Sequence, residues 1–177
     1  MSFKDRFQFI GISFMHDTMY GLFMNAEDLL LPAGLKEGQN VLEVGCGPGF
    51  FTIPAAKIVG ENGRVFANDI NPFAIKRVEK KISKSDVKNV TVMQEDVTKT
   101  SLATNSIDLA FFFGVIHSLV GIIDDVLLEM DRILTKKETI VIQKSRKSVD
   151  NIVELIEQSN KFKLLENKKR VLTFSRI

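Results

Sequence analysis

Three glycines at every second position, Gly45, Gly47 and Gly49, follow the apolar run of residues 41–44, and Glu43 stands inside that run. A β-branched apolar run that ends in glycines and leads into a helix reads as a buried strand, a tight loop and a helix N-terminus. Glycines there let the backbone come close to a ligand, and the helix adds free N–H groups and a positive dipole end. The spacing separates ligand classes. In a G-x-G-x-x-G dinucleotide fingerprint counted from Gly45, the last glycine would fall at Phe50, and the Gly-Lys-Ser/Thr ending of a phosphate loop is absent. The loop therefore suits a nucleoside-like ligand without a pyrophosphate demand. Cys46, the only cysteine, reads as a small filler of this loop.

Two acidic positions complete the pattern. Asp69 comes 20 residues after Gly49, at the end of a second apolar run, where a carboxylate can accept hydrogen bonds from ribose hydroxyls. Ile70 follows it and can pack on a base. Asp96 ends a third run, where it can accept from an adenine amine while the Val97 N–H donates to the ring; the competing role is a cap on the turn into Thr98. His117 follows the fourth run and has the side chain suited to a general base, against a plain role in packing or capping a helix.

The elements that position these groups alternate. Strands are expected over 41–44, 65–67, 89–93, 107–113 and 138–142. Helices are expected over 50–59, from Pro72 with Ile75, Val78 and Ile82 on its apolar face, over 120–134, and over 148–158 with Ser148 as N-cap. Residues 162–165 and 171–174 are expected to close an antiparallel hairpin. Strand–helix alternation means parallel strands with right-handed crossovers, an α/β doubly wound sheet with its ligand outside the carboxyl ends of the strands. A helix is also expected from about Tyr20 to Leu31, stopped by Pro32 and Gly34.

On these residues the chain resembles the class I S-adenosylmethionine-dependent methyltransferases, most nearly the broad group that includes the ubiquinone/menaquinone-biosynthesis enzymes. The resemblance is carried by residues 41–51, 64–69, 89–97 and 107–119, in that order. It implies a Rossmann-like seven-stranded sheet, mostly parallel with an antiparallel last strand. It implies S-adenosylmethionine as cofactor, with Glu43, Gly45 and Gly47 at its methionyl part, Asp69 at the ribose, Ile70 beside the adenine, and Asp96 and Val97 at the adenine edge. Phe113 and Gly114 would line the transfer site, and Tyr20 would touch the cofactor from an N-terminal segment that often folds over it. Where many relatives carry Asn at the end of the fourth strand, this chain has Phe113. The Asn/Asp-Pro-Pro-Tyr motif of many amino-group methyltransferases acting on nucleic acid bases and protein glutamine is absent, which points toward a small-molecule acceptor.

Composition bounds the rest. The 177 residues fit one domain, organised as a helical cap over 1–38 and a cofactor domain over 39–177. The net charge of +2 excludes a strongly polyanion-seeking protein, although the residues from Lys144 onward hold nine basic against four acidic side chains, so RNA engaged by this tail is a variant reading. A lone cysteine gives no internal disulfide and no cysteine-rich metal site, and no metal is expected. The longest apolar stretch, 109–123, is too short for a bilayer and is broken by His117 and Ser118; a cytoplasmic location is expected, with the oligomeric state open. Two rivals stand beside the methyltransferase reading: a nicotinamide-dependent oxidoreductase, and a non-catalytic S-adenosylmethionine-binding scaffold.

Overall fold

The computed structural model describes residues 25–144 and 149–177. Seven strands form one sheet in the order β3-β2-β1-β4-β5-β7-β6. The strands are β1 (Asn40–Val44), β2 (Arg64–Asn68), β3 (Val90–Met93), β4 (Ile107–Phe112), β5 (Leu134–Gln143), β6 (Phe162–Asn167) and β7 (Val171–Arg176). Pairings among β1 to β5 are parallel, and β7 runs antiparallel between β5 and β6. This is the expected Rossmann-like class I methyltransferase sheet with an antiparallel last strand.

Alternate residues of the central strands go to opposite faces. Leu42, Ala110, Phe112, Ile140 and Ile142 pack in one core, while Val41, Leu109, Phe111 and Val141 pack in the other. The first core is closed by α5 (Ile123–Ile133) and α6 (Val149–Gln158), the second by α1 (Glu27–Leu30) and α2 (Thr52–Val59). Burial on both faces explains why β4 is apolar nearly throughout. Leu29, Leu30, Ala33 and Leu35 are part of the second core, so residues 26–35 cover a sheet face.

Helix α3 (Pro72–Ile82) begins as its sequence dictates: Pro72 occupies the first turn, and the Asn71 side chain accepts from the Phe73 N–H at 2.9 Å. The carbonyls at the end of α2 are met from a distance, because Asn89 Nδ2 donates to Ala56 O and Gly60 O at 2.9 and 2.7 Å.

Some boundaries differ from the sequence expectation. The helix expected over 120–134 is two pieces, a 3₁₀ turn (Val120–Ile122) and α5, and a short unexpected helix, α4 (Ile116–Leu119), precedes them. Gly121 within the turn weakens a continuous helix there. Leu134 begins β5, which reaches back past Glu138, with a register shift against β4 between Ile107 and Leu109. The hairpin strands are longer than expected, to Asn167 and Arg176. Ser148 and the part of the expected N-terminal helix before residue 25 lie outside the described residues. Among the described residues, no helix is long and apolar enough to cross a membrane, and no group of three or more His, Cys, Asp or Glu could hold a metal ion.

Candidate functional site

The chain builds β1, β2 and β3 outward in one direction, then returns to lay β4 on the other side of β1. That reversal opens a crevice at the carboxyl ends of the strands. A cleft of about 480 Å³ lies there. It is lined by the glycine loop, by Asn68, Asp69 and Ile70 after β2, by Glu95, Asp96 and Val97 after β3, and by Phe113, Gly114 and Val115 after β4.

The loop is fixed by its neighbours. Gly45, Gly47 and Gly49 all have positive φ, at 68°, 51° and 77°. The reasons differ at the first two. A Cβ on Gly45 would stand 2.6 Å from Val115 Cγ2, so this glycine lets two loops touch. A Cβ on Gly47 meets nothing within 4 Å. The Cys46 N–H donates to Asn68 O at 2.9 Å, and the Gly47 N–H donates to Asp69 Oδ2 at 2.9 Å. Beneath the loop, Cys46 is buried with Ala67, Ile75 and Val78, and burial pushes its thiol up well beyond the ordinary range.

Asp69 is held from both sides, since its Oδ1 accepts from the Asn71 N–H at 2.8 Å. A carboxylate has about four acceptor sites, so each oxygen keeps one for a ligand hydroxyl. Ile70, beside it, is 68% exposed, an apolar surface offered at the rim. Asp96 Oδ1 accepts from the Thr98 N–H and hydroxyl, and these bonds hold its carboxyl below the usual range. The turn cap weighed from the sequence is therefore present, on an exposed side chain that also lines the cleft. Glu95 is spent on Ser101, whose N–H and hydroxyl it accepts at 2.8 and 2.7 Å.

Glu43 lies behind the loop rather than on the cleft surface. It is buried, and Thr52 donates its hydroxyl to Oε2 at 2.6 Å, tying β1 to the start of α2. Burial pushes the Glu43 carboxyl up to about 8; the Asp69 charge adds to this, while the Thr52 bond and Lys81 oppose it.

The cleft thus gathers Gly45, Cys46, Gly47, Asp69, Ile70, Asp96, Val97 and Phe113, with Glu43 and Gly49 supporting it from outside its lining. It does not include His117. Val115, Ser118, Leu119 and Ile122 turn toward the cleft, whereas Ile116, His117 and Val120 line a second cavity. Tyr20 lies outside the described residues. Asn68 and Val115 were not singled out from sequence. Asn68 is buried and joins two loops by donating from Nδ2 to Glu95 O at 2.9 Å. A polar residue next to Asp69 at a strand end was the available signal.

The residues present fit an adenosine-type ligand: two engaged carboxylates with spare acceptor sites, an apolar plate at Ile70, and loop backbone bare of side chains at Gly47. Comparison with known proteins agrees. A model of the family described as a methyltransferase domain matches residues 35–174. An S-adenosylmethionine-dependent methyltransferase from Aquifex aeolicus is 26% identical, with a TM-score of 0.73 over 86% of this chain and 88% of that one. A ribosomal protein L11 methyltransferase from Thermotoga maritima is 34% identical over 128 residues, 68% of this chain and 47% of that protein. A protein-L-isoaspartate O-methyltransferase from Methanococcus maripaludis is 43% identical over 65 residues, 37% of this chain and 31% of that protein. The chain thus spans between about a third and a half of these two curated relatives (31% and 47%). Its glycine loop, its sheet order and a family match over most of its length agree: the chain belongs to the methyltransferase domain family, with the class I S-adenosylmethionine-dependent fold.

Proposed function

We propose that this protein transfers a methyl group from S-adenosylmethionine to a small-molecule acceptor. The observation that carries the reading is the pinned loop: the Gly47 N–H donates to Asp69 across the mouth of β1 and β2, which preforms a cradle beside that carboxyl group. When bound, the cofactor supplies a methyl group on a positively charged sulfur, already activated as a leaving group. The chain's own residues then position and shield. Asp69 would accept from the ribose hydroxyls, Ile70 would pack on the base, and Asp96 with the Val97 N–H would meet its edge. Phe50, Phe51 and Phe113 stack edge-on at centroid distances of 4.8 and 5.1 Å, giving the cleft a dry wall. Positioning and water exclusion are the main demands of such a displacement.

The family membership goes against the nicotinamide reading, as does Phe50 in place of a third fingerprint glycine. The absence of the Asn/Asp-Pro-Pro-Tyr motif favours a small molecule over a nucleic acid base, and the resemblance to the ubiquinone/menaquinone-biosynthesis group points the same way. A titration with S-adenosylhomocysteine tests the cofactor assignment. Micromolar affinity is expected, weakened about 10-fold or more in Asp69→Ala, because a charge-assisted hydrogen bond is worth ~1.5–3 kcal/mol. Absence of binding by the wild type would overturn the reading. Asp69→Asn, which keeps an acceptor oxygen, should fall between the two.

A further inference from the structure

The second cavity holds about 220 Å³ at the carboxyl end of β5. Ile142 and the Leu172 paired with it form part of its lining, with Ile152 and Leu155 of α6 and Ile116 of α4. Its polar lining residues are His117, Gln143, Lys144 and Asn151. Lys144 lines it, but its Nζ donates elsewhere, to Asn167 Oδ1 at 2.7 Å and Lys168 O at 3.0 Å. His117 lines it from α4. Gln143, the last residue of β5, lines it as well, and the amide oxygen of Gln143 is buried without a hydrogen-bond partner.

A buried amide oxygen with no donor is a costly arrangement, and folds retain one where something else completes it. The terminal torsion of a glutamine is soft, so a small rotation turns the oxygen toward a donor in the cavity. The missing partner is therefore an O–H or N–H. Size narrows the class: an apolar cavity of about 150 Å³ accepts a benzene ring, so this one admits a single ring with a small substituent. The surrounding aliphatic side chains favour a neutral molecule.

We propose that this cavity is a binding site for a neutral, single-ring-sized molecule that donates an O–H or N–H to Gln143, with His117 and Asn151 as further polar groups on the lining. It lies beside the cofactor cleft, on the other face of the α4 segment, and it does not depend on that cleft's assignment. The test is binding of phenol, toluene and benzoate, followed by methyl NMR of Ile116, Ile152 and Leu172. Phenol should bind near ~1 mM and shift those methyls, with about 10-fold preference over toluene from the added hydrogen bond. Gln143→Leu should remove the preference while leaving toluene binding intact. Val120→Trp, at the half-exposed rim, should block both without disturbing S-adenosylhomocysteine binding. Equal affinity for phenol and toluene, benzoate binding as tightly as phenol, or no binding at about 10 mM would each overturn the proposal.

Discussion

Glu43 is a carboxyl shut away from water, and its proton has consequences for stability. Its ordinary value of 4.5 is raised to about 8 in the fold, chiefly by burial. Between these two values the unfolded chain has lost the proton and the folded chain keeps it. The folded state then binds more protons, so stability falls as pH rises, by about 1.4 kcal/mol per pH unit at most. The contribution is fully present below pH 4.5 and lost by about pH 8. Glu43→Gln cannot ionise and keeps an acceptor for Thr52. Urea midpoints measured at pH 5 and pH 8 should therefore drop for the wild type relative to the variant. A parallel pair of curves would show that Glu43 ionises normally. At this scale the sequence was partly readable. The placement of Asp69 and Asp96 beside the glycine loop was legible because position at a strand end is a local signal. The Gln143 amide was not, because its lack of a partner depends on how β5 meets distant parts of the chain. His117 stands shortly after β4, as its sequence position requires. Its side chain was not predictable, since a single helical step turns it away from the cleft that Val115 and Ser118 face.

At the scale of elements, the glycine loop and the segment after β4 are one joint. Gly45 and Gly47 look alike in sequence, yet the structure separates their roles. Gly45→Ala drives a Cβ into Val115 in a left-handed conformation, and should destabilise the fold by about 1–3 kcal/mol. Val115→Ala should restore part of that loss, which a double-mutant cycle would read. Gly47→Ala has open space and bears mainly the backbone strain, ~1–2 kcal/mol. Its larger effect should be on ligand affinity, measured by S-adenosylhomocysteine titration. If both variants lost stability and affinity in the same ratio, the two glycines would share one role. The sequence carried the strand, loop and helix of this joint, because period and glycine placement are local signals. The short α4 and the 3₁₀ turn ahead of α5 were not read from it, although Gly121 within that turn was the available signal.

For the whole molecule, the cleft and the β6–β7 hairpin occupy separate halves of the sheet. Phe162 is fully buried at the far edge, packed in the core with Ile152 and Ile156. Phe162→Ala should cost about 3–5 kcal/mol of stability. Saturating S-adenosylhomocysteine, at about 100 times its dissociation constant, should add ~2.7 kcal/mol to the wild type and the same to the variant. Unequal increments in denaturant melts would reveal coupling across the sheet. The strand sequence was legible from alternation and from runs buried on both faces. The neighbour order of the last two strands was not, since antiparallel pairing of a hairpin leaves open which strand joins the sheet.

That neighbour order constrains how the protein is made. Because β7 sits between β5 and β6, β6 has no sheet partner until β7 has left the ribosome. The cofactor half, β1 to β5, can assemble during synthesis, while β6 waits as an unpaired strand with Phe162 exposed. Its neighbours Lys161 and Lys163 then act as gatekeepers, keeping a nascent edge from pairing with other chains.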